Sequence, residues 1–273
     1  MSELIRVEGT DILHRRWLAN QPKACLLLVH GMGAHSNRWQ FWADHFLNQG
    51  LSSYAIELKG FGRTLNRPRG HIDSFKSYYN DVIALRDQIA REVPGKKIFL
   101  VGESMGGLIA FMTAALHPEA FSGQVIMSPG FANAMKFKLL DYLSLPFFLI
   151  FDRRHLIQMP FTSAMCTRDE AYQKIMDNNP DEHRLASVKL LFDILLEQSS
   201  ANSLAKDVKI PTLFTIAGQD KLVSPAAAKK LFEKIGSSDK KLIEYPEMFH
   251  ALYIDKGREK VFSDIWNWLE GRI

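Results

Sequence analysis

The segment KKIFLVGESMGGLIAFMTAALH, residues 96–117, runs from one short apolar stretch, through glycines around a single serine, into a second apolar stretch. The first stretch, over 98–101, has the continuous apolar pattern of a strand buried on both faces, and the second, over 105–117, has helical length. Gly102, Gly106 and Gly107 surround Ser104 at the junction. A strand that turns sharply into a helix strains the backbone of the residue at the turn. Side chains two residues away on either side would collide with it. The glycines are thus a steric requirement, and the serine stands at the tip of the turn.

The same grammar extends outward. Residues 26–29 form another short apolar run, which ends at His30-Gly31-Met32-Gly33. A helix over 38–48, a strand over 52–58, a helix over 75–92 and a strand over 124–128 complete a repeated strand-helix alternation. It resumes with PTLFTIAG (211–218), a helix over 225–235, the strand KLIEYP (241–246) and a closing helix over 257–269. Residues 4–19 alternate apolar and polar around Glu8-Gly9-Thr10, the pattern of two antiparallel strands joined by a tight turn. The predicted fold is α/β, with a mostly parallel sheet flanked by helices.

Between 130 and 207 the strand pattern stops. Helical periodicity dominates in AYQKIMDN (171–178) and EHRLASVKLLFDILLEQ (182–198), interrupted by Pro146, Pro160 and Pro180. The expected organisation is a core of residues 1–129 and 208–273 with a helical cap, 130–207, inserted between two core strands. Insertions at the carboxyl ends of strands lie over the place where open α/β sheets bind ligands.

At 273 residues, 47% hydrophobic and 23% charged, the chain can bury one large core. Its net charge of +4 is spread along the sequence, without the clustered basic face that nucleic-acid binding needs. Two cysteines, Cys25 and Cys166, give no disulfide framework. The N-terminus lacks the apolar run of a secretory signal, so a cytoplasmic location is expected. No cluster has metal-ligand spacing, and neither metal nor cofactor is expected. The stretch LLDYLSLPFFLIF, 139–151, is too short and too interrupted to span a bilayer. It can pack on the core, line an apolar pocket or rest on a membrane surface.

Gly102-Glu103-Ser104-Met105-Gly106 fits G-x-S-x-G, with the required strand before it and helix after it. A serine hydroxyl becomes nucleophilic when a base takes its proton and an acid orients that base. Asp220 follows the strand in PTLFTIAG, and His250 follows the strand in KLIEYP, so serine, acid and histidine each succeed a different strand. The amide of Met105 at the helix start and that of Met32 in the glycine-rich loop are the candidate oxyanion donors. His30 is read as a support for that loop. Glu103 and Glu170 are the carboxylates that could instead hold a peptide amine, although each also fits a plainer place, beside the nucleophile or at a helix start.

Together VHGMGAHSNRW, GFGRT, RGHIDSFKSYYNDV, VGESMGG, AGQDKLVS and YPEMFHALYID resemble the monoacylglycerol lipase and lysophospholipase branch of the α/β-hydrolase superfamily. The resemblance covers nearly the whole chain, including TRDEAYQKIMDNNP in the insertion. It implies Ser104 as nucleophile, Asp220 and His250 as its partners, Met32 and Met105 as oxyanion donors, and a small-molecule acyl ester of lipid type as substrate. The chain departs from the branch at Ala34, Phe61 and Ala251, where acidic residues or histidine are common, which leaves the alcohol-side contacts open. Lysophospholipase, thioesterase, acyltransferase and small-ester esterase share the same acyl-enzyme. An aminopeptidase and a non-catalytic ligand receptor on this fold are the more distant readings.

Overall fold

The computed structural model describes residues 3–64, 68–137 and 139–273, the side chains of 139–143 excepted. Strands β1 (Leu4–Arg6), β2 (Leu13–Trp17), β3 (Ala24–Val29), β4 (Leu51–Glu57), β5 (Ile98–Glu103), β6 (Gly123–Met127), β9 (Thr212–Ala217) and β10 (Lys240–Tyr245) form one eight-stranded sheet. Its order is β1-β2-β4-β3-β5-β6-β9-β10. The pairs β1–β2 and β2–β4 are antiparallel and all the others parallel. Every residue of β3, β4, β5, β6 and β9 is buried, which explains why β3 and the start of β5 read as continuous apolar runs and why none of the five alternates cleanly between apolar and polar.

Helices α1 (Gln40–Asn48), α2 (Lys76–Glu92), α3 (Met105–Leu116), α8 (Pro225–Lys234) and α9 (Arg258–Glu270) flank the sheet. Because β5, β9 and β10 run parallel, the loops that follow them open on one edge. Ser104, Asp220 and His250 follow these three strands. The predicted elements of the core are all present, with ends moved by a few residues; the first helix is preceded by a 3-10 turn over Ser36–Trp39.

The 130–207 insertion holds α4 (Leu139–Phe151), α5 (Ser163–Cys166), α6 (Glu170–Asn178) and α7 (Val188–Leu204), but it is not wholly helical. Two short strands, β7 (Leu156–Gln158) and β8 (Leu185–Ser187), pair antiparallel within it. The helix expected over 182–198 therefore starts only at Val188. Ser187 caps it, with its Oγ accepting the Leu190 N–H at 3.2 Å, while the Ser187 N–H donates to Gly70 O at 2.8 Å. Strands of three residues are too short to carry readable alternation, and the chain ahead of the cap is held extended by partners far away in sequence.

The insertion is fastened over the strand ends. Helix α7 packs on α3 and on α4. Arg38 makes a two-pronged ion pair with Glu182, Nε to Oε1 at 3.1 Å and Nη2 to Oε2 at 2.6 Å, with both side chains buried. Arg69 Nη2 donates to Asp181 O at 2.9 Å and the His183 N–H to Gly33 O at 3.2 Å. Gly33 has φ of +78°, and a Cβ there would lie 2.4 Å from His183 O, so glycine is needed for this approach. Removing one partner of a buried pair leaves the other charge stranded. Glu182→Ala is expected to lower the unfolding free energy by about 3 kcal/mol in urea titration, and Arg38→Met on that background to recover much of the loss.

Candidate active site

The turn between β5 and α3 has the predicted strain. Ser104 sits at φ 58°, ψ −122°, outside the region that L-residues favour. Its N–H donates to Met127 O at 3.0 Å, and its carbonyl accepts from the amides of Leu108 at 3.1 Å and Gly130 at 2.9 Å. The glycines act as the sequence requires. A Cβ on Gly102 would lie 2.2 Å from Gly106 O, and one on Gly106 would lie 2.2 Å from Val29 O. The backbone strain is thus held by hydrogen bonds and close contacts on each side of the turn.

Asp220 and His250 meet above this turn. Asp220 Oδ2 accepts from His250 Nδ1 at 2.7 Å, while Oδ1 accepts the amides of Leu222 at 2.8 Å and Val223 at 3.0 Å. The carboxylate is fixed by its own loop and turns one oxygen to the imidazole, which defines a proton on Nδ1 and leaves Nε2 for chemistry. Burial favours neutral His250, but the charge and hydrogen bond of Asp220, with Glu103 beyond, outweigh it and raise the pKa above the ordinary 6.5.

Met32 and Met105 both line the cavity that Ser104 and His250 share. Met105 is the first residue of α3, so its N–H has no acceptor within the helix and faces the positive end of the helix dipole. His30 supports the glycine-rich loop as read from sequence. Its Nδ1 bonds Gly31 O at 2.8 Å and its Nε2 accepts the Leu58 N–H at 3.1 Å, which places the proton on Nδ1. Burial pushes the His30 pKa down to about 4, keeping the ring neutral.

Other functional positions escaped the sequence reading. Buried Glu57 accepts the Ser36 amide at 2.7 Å through Oε2 and the Arg63 amide at 2.7 Å through Oε1, tying together the loops after β3 and β4. Asp255, fully buried, takes the amides of Phe249 at 2.8 Å and Arg168 at 2.6 Å and the Arg168 Nε at 3.0 Å. It pins the histidine loop to the insertion. Arg38 reaches the cavity wall with its charge already matched by Glu182. Glu103 lies at the cavity floor, with Oε1 3.4 Å from His250 Nε2. Unlike the others, Glu103 is named from sequence, as a carboxylate for a peptide amine or a neighbour of the nucleophile, and its contact is with His250. The partners of Glu57 and Asp255 depend on tertiary folding.

The cavity has a volume of about 180 Å³. Ser104, His250 and Glu103 form one end. The walls are largely apolar, from Met135, Phe137, Met159, Phe161, Leu191 and Leu195. All six come from the 130–207 insertion. Gln198 crosses beside them, its Nε2 donating to Gly130 O at 2.8 Å.

A mostly parallel eight-stranded sheet, with a serine on a strained strand-to-helix turn and an acid and a histidine after two later strands, defines an α/β-hydrolase. The chain belongs to the Hydrolase_4 family, described as serine aminopeptidase, S33, which it matches over residues 20–257. Human monoglyceride lipase is 30% identical over 281 aligned residues, covering 100% of this chain and 91% of that protein. Phospholipase YtpA of Bacillus subtilis is 29% identical, covering 90% of this chain and 95% of that protein. Among solved structures, a soluble variant of monoglyceride lipase from Saccharomyces cerevisiae, in complex with a substrate analog, superposes with a TM-score of 0.89 at 21% identity, over 100% of this chain and 95% of that one. The monoacylglycerol lipase of Paleococcus ferrophilus gives a TM-score of 0.84 at 24% identity, over 99% and 100% of the two chains.

The Asp220–His250 bond leads to a direct test. Asp220→Asn can donate to Nδ1 and so favours the tautomer with its proton on Nε2, the nitrogen that must act as acceptor. Turnover of p-nitrophenyl butyrate is expected to fall about 10⁴-fold with the fold intact by circular dichroism.

Proposed function

We propose that this chain is a serine ester hydrolase for monoacylglycerols, with 130–207 as its cap. The observation that carries the reading is the cavity, which Ser104 and His250 line together with apolar side chains supplied largely by the insertion. Such a space accepts one acyl chain and presents its carboxyl carbon to the serine.

In this reading His250 Nε2 takes the Ser104 hydroxyl proton as Oγ adds to the ester carbonyl. The new oxyanion is held by the amides of Met32 and Met105. Collapse of the tetrahedral intermediate breaks the C–O bond to glycerol, and the imidazolium gives its proton to the departing alkoxide. Water, deprotonated by the same nitrogen, then releases the fatty acid and restores Ser104. Asp220 holds the ring in register throughout.

The family description names a peptidase, but the two carboxylates that could hold a substrate amine are placed against that use. Glu170 is exposed in the first turn of α6, and Glu103 is buried against His250. The names and full-length coverage of the lipase relatives support an ester.

The outer surface supports delivery from a membrane. No helix among the described residues is long and apolar enough to cross one. Phe147, Ile150 and Phe151 of α4 are 57%, 73% and 72% exposed, and Leu196 of α7 is 51% exposed. With α4 packed on α7, these side chains form an apolar outer face on the helices whose other residues, Leu145 and Leu191, line the cavity.

Two measurements test the reading. Hydrolysis of 1-oleoylglycerol is expected to exceed that of lysophosphatidylcholine, with p-nitrophenyl ester activity rising with acyl length and Ser104→Ala losing at least about 10⁴-fold. Activity confined to acetyl esters would remove the lipid assignment, and preference for lysophosphatidylcholine would replace it with a lysophospholipase. In vesicle co-sedimentation, Ile150→Asp with Phe151→Asp is expected to lower partitioning at least about tenfold while sparing hydrolysis of soluble p-nitrophenyl butyrate.

A further inference from the structure

Glu103 is the least ordinary group in the molecule. It is 1% exposed, its Oε2 has no hydrogen-bond partner, and its Oε1 stands 3.4 Å from the nitrogen of His250 that faces away from Asp220. The fold makes room for it. A Cβ on Gly31 would lie 2.6 Å from Glu103 Oε2, so glycine at that position lets the carboxyl fit beneath the oxyanion loop. The Gly31 amide is close enough to favour the anion slightly but is not aligned to satisfy Oε2.

The separation restricts the proton count. With Nδ1–H committed to Asp220, neutral His250 has a lone pair on Nε2. A carboxylate oxygen 3.4 Å from that lone pair favours one added proton on the pair. The pair can hold that proton as imidazolium with carboxylate or as imidazole with carboxylic acid, and both forms block Nε2 as a base.

We propose that Glu103 is a positioning residue for His250, sharing one proton with Nε2 in the acid form of the site and, once that proton has left, steadying the imidazolium that forms when Ser104 is deprotonated. This deepens the reading given under Proposed function and rests on Ser104 as nucleophile and His250 as its base. The proton sequence balances. The pair loses its shared proton to solvent as pH rises, Nε2 then accepts the Ser104 proton, and the same proton leaves with the glycerol alkoxide.

The charged and titratable surroundings agree. Burial raises the Glu103 pKa, His250 and Arg38 lower it, and Asp220 raises it again. Around the pair stand Asp220 from the loop after β9, Arg38 from the 3-10 turn with Glu182 behind it, Cys166 from α5 and Tyr253 from the histidine loop. Burial pushes the Cys166 thiol up to about 12 and the Tyr253 phenol well above its ordinary value, so both stay neutral. Arg38 stays charged against Glu182, which leaves Glu103 and His250 as the pair that titrates together.

The test is Glu103→Gln, which keeps the shape and removes the charge. The acid midpoint of kcat/KM for p-nitrophenyl butyrate is expected to move down by about one pH unit, with the plateau falling about tenfold. The His250 imidazole titration, followed by NMR in both proteins without substrate, is expected to move by the same amount. A plain structural role would lower the plateau and leave both midpoints in place, and that result overturns the proposal. Should Glu103→Gln not fold, the wild type decides: the Glu103 side-chain carboxyl, followed by carbon NMR, is expected to respond at the same midpoint as the His250 imidazole, and a carboxyl signal that does not respond at that midpoint is the contrary result. Full turnover in Ser104→Ala would overturn the underlying reading, while the NMR titration still reports separately whether Glu103 and His250 share a proton.

Discussion

Everything at this site depends on one strained residue. Ser104 can hold φ 58° only because glycine at 102 and 106 lets β5, α3 and the end of β3 meet at backbone distance. Left-handed backbone costs a non-glycine residue about 1–3 kcal/mol. The close-packed parallel strands offset that cost, since the Ser104 amide and carbonyl are both bonded to neighbouring segments that belong to the sheet and its loops. The result is a hydroxyl lifted off the strand end, at the start of a helix whose first amide is free of intrahelical partners.

The insertion solves a second problem, which is to place an apolar chamber over a polar, charged floor. Each charge near the chamber is matched before substrate arrives. Arg38 is paired with Glu182, Arg168 with Asp255, and His250 with Asp220. Unpaired, the buried ones among these charges, such as Arg38 and Asp255, would cost several kcal/mol. Paired, they fasten the loops so that the oxyanion strand end, the histidine loop and the insertion share one framework. Rigid partners on all sides allow the walls themselves to be unspecific leucine, methionine and phenylalanine.

The parts of this design that were legible in the sequence share a property: their signals are local. The turn around Ser104 is written in consecutive residues, because its glycines are needed within two positions of the serine. The buried strands are legible because burial on both faces forces continuous apolar runs. Asp220 and His250 were found through their order after strands, a topological rule. The strands β7 and β8 are not legible, and the helix expected over 182–198 starts late, because the extended backbone of 185–187 is held by pairing with β7 and by Gly70, both distant in sequence. Glu57, Glu182 and Asp255 were silent for the same reason. A buried acid is indistinguishable from a surface acid until its partners are folded around it.

Glu103 sits at the boundary between these two kinds of information. Its position next to the serine is fixed by the motif, yet nothing in the motif says whether the side chain points to solvent, to substrate or inward. Gly31 decides that. The glycine lets the loop after β3 pass close enough to close off Glu103 from water, and its Oε1 then stands 3.4 Å from His250 Nε2, with Arg38 and Asp220 acting on it as well. A carboxylate in water would be screened and nearly inert toward the imidazole, whereas one removed from water acts at a much lower effective dielectric. Gly31 therefore brings a second acid to bear on His250, so that in the proposed reaction an imidazolium formed beside Ser104 faces a carboxyl group at each of its two nitrogens.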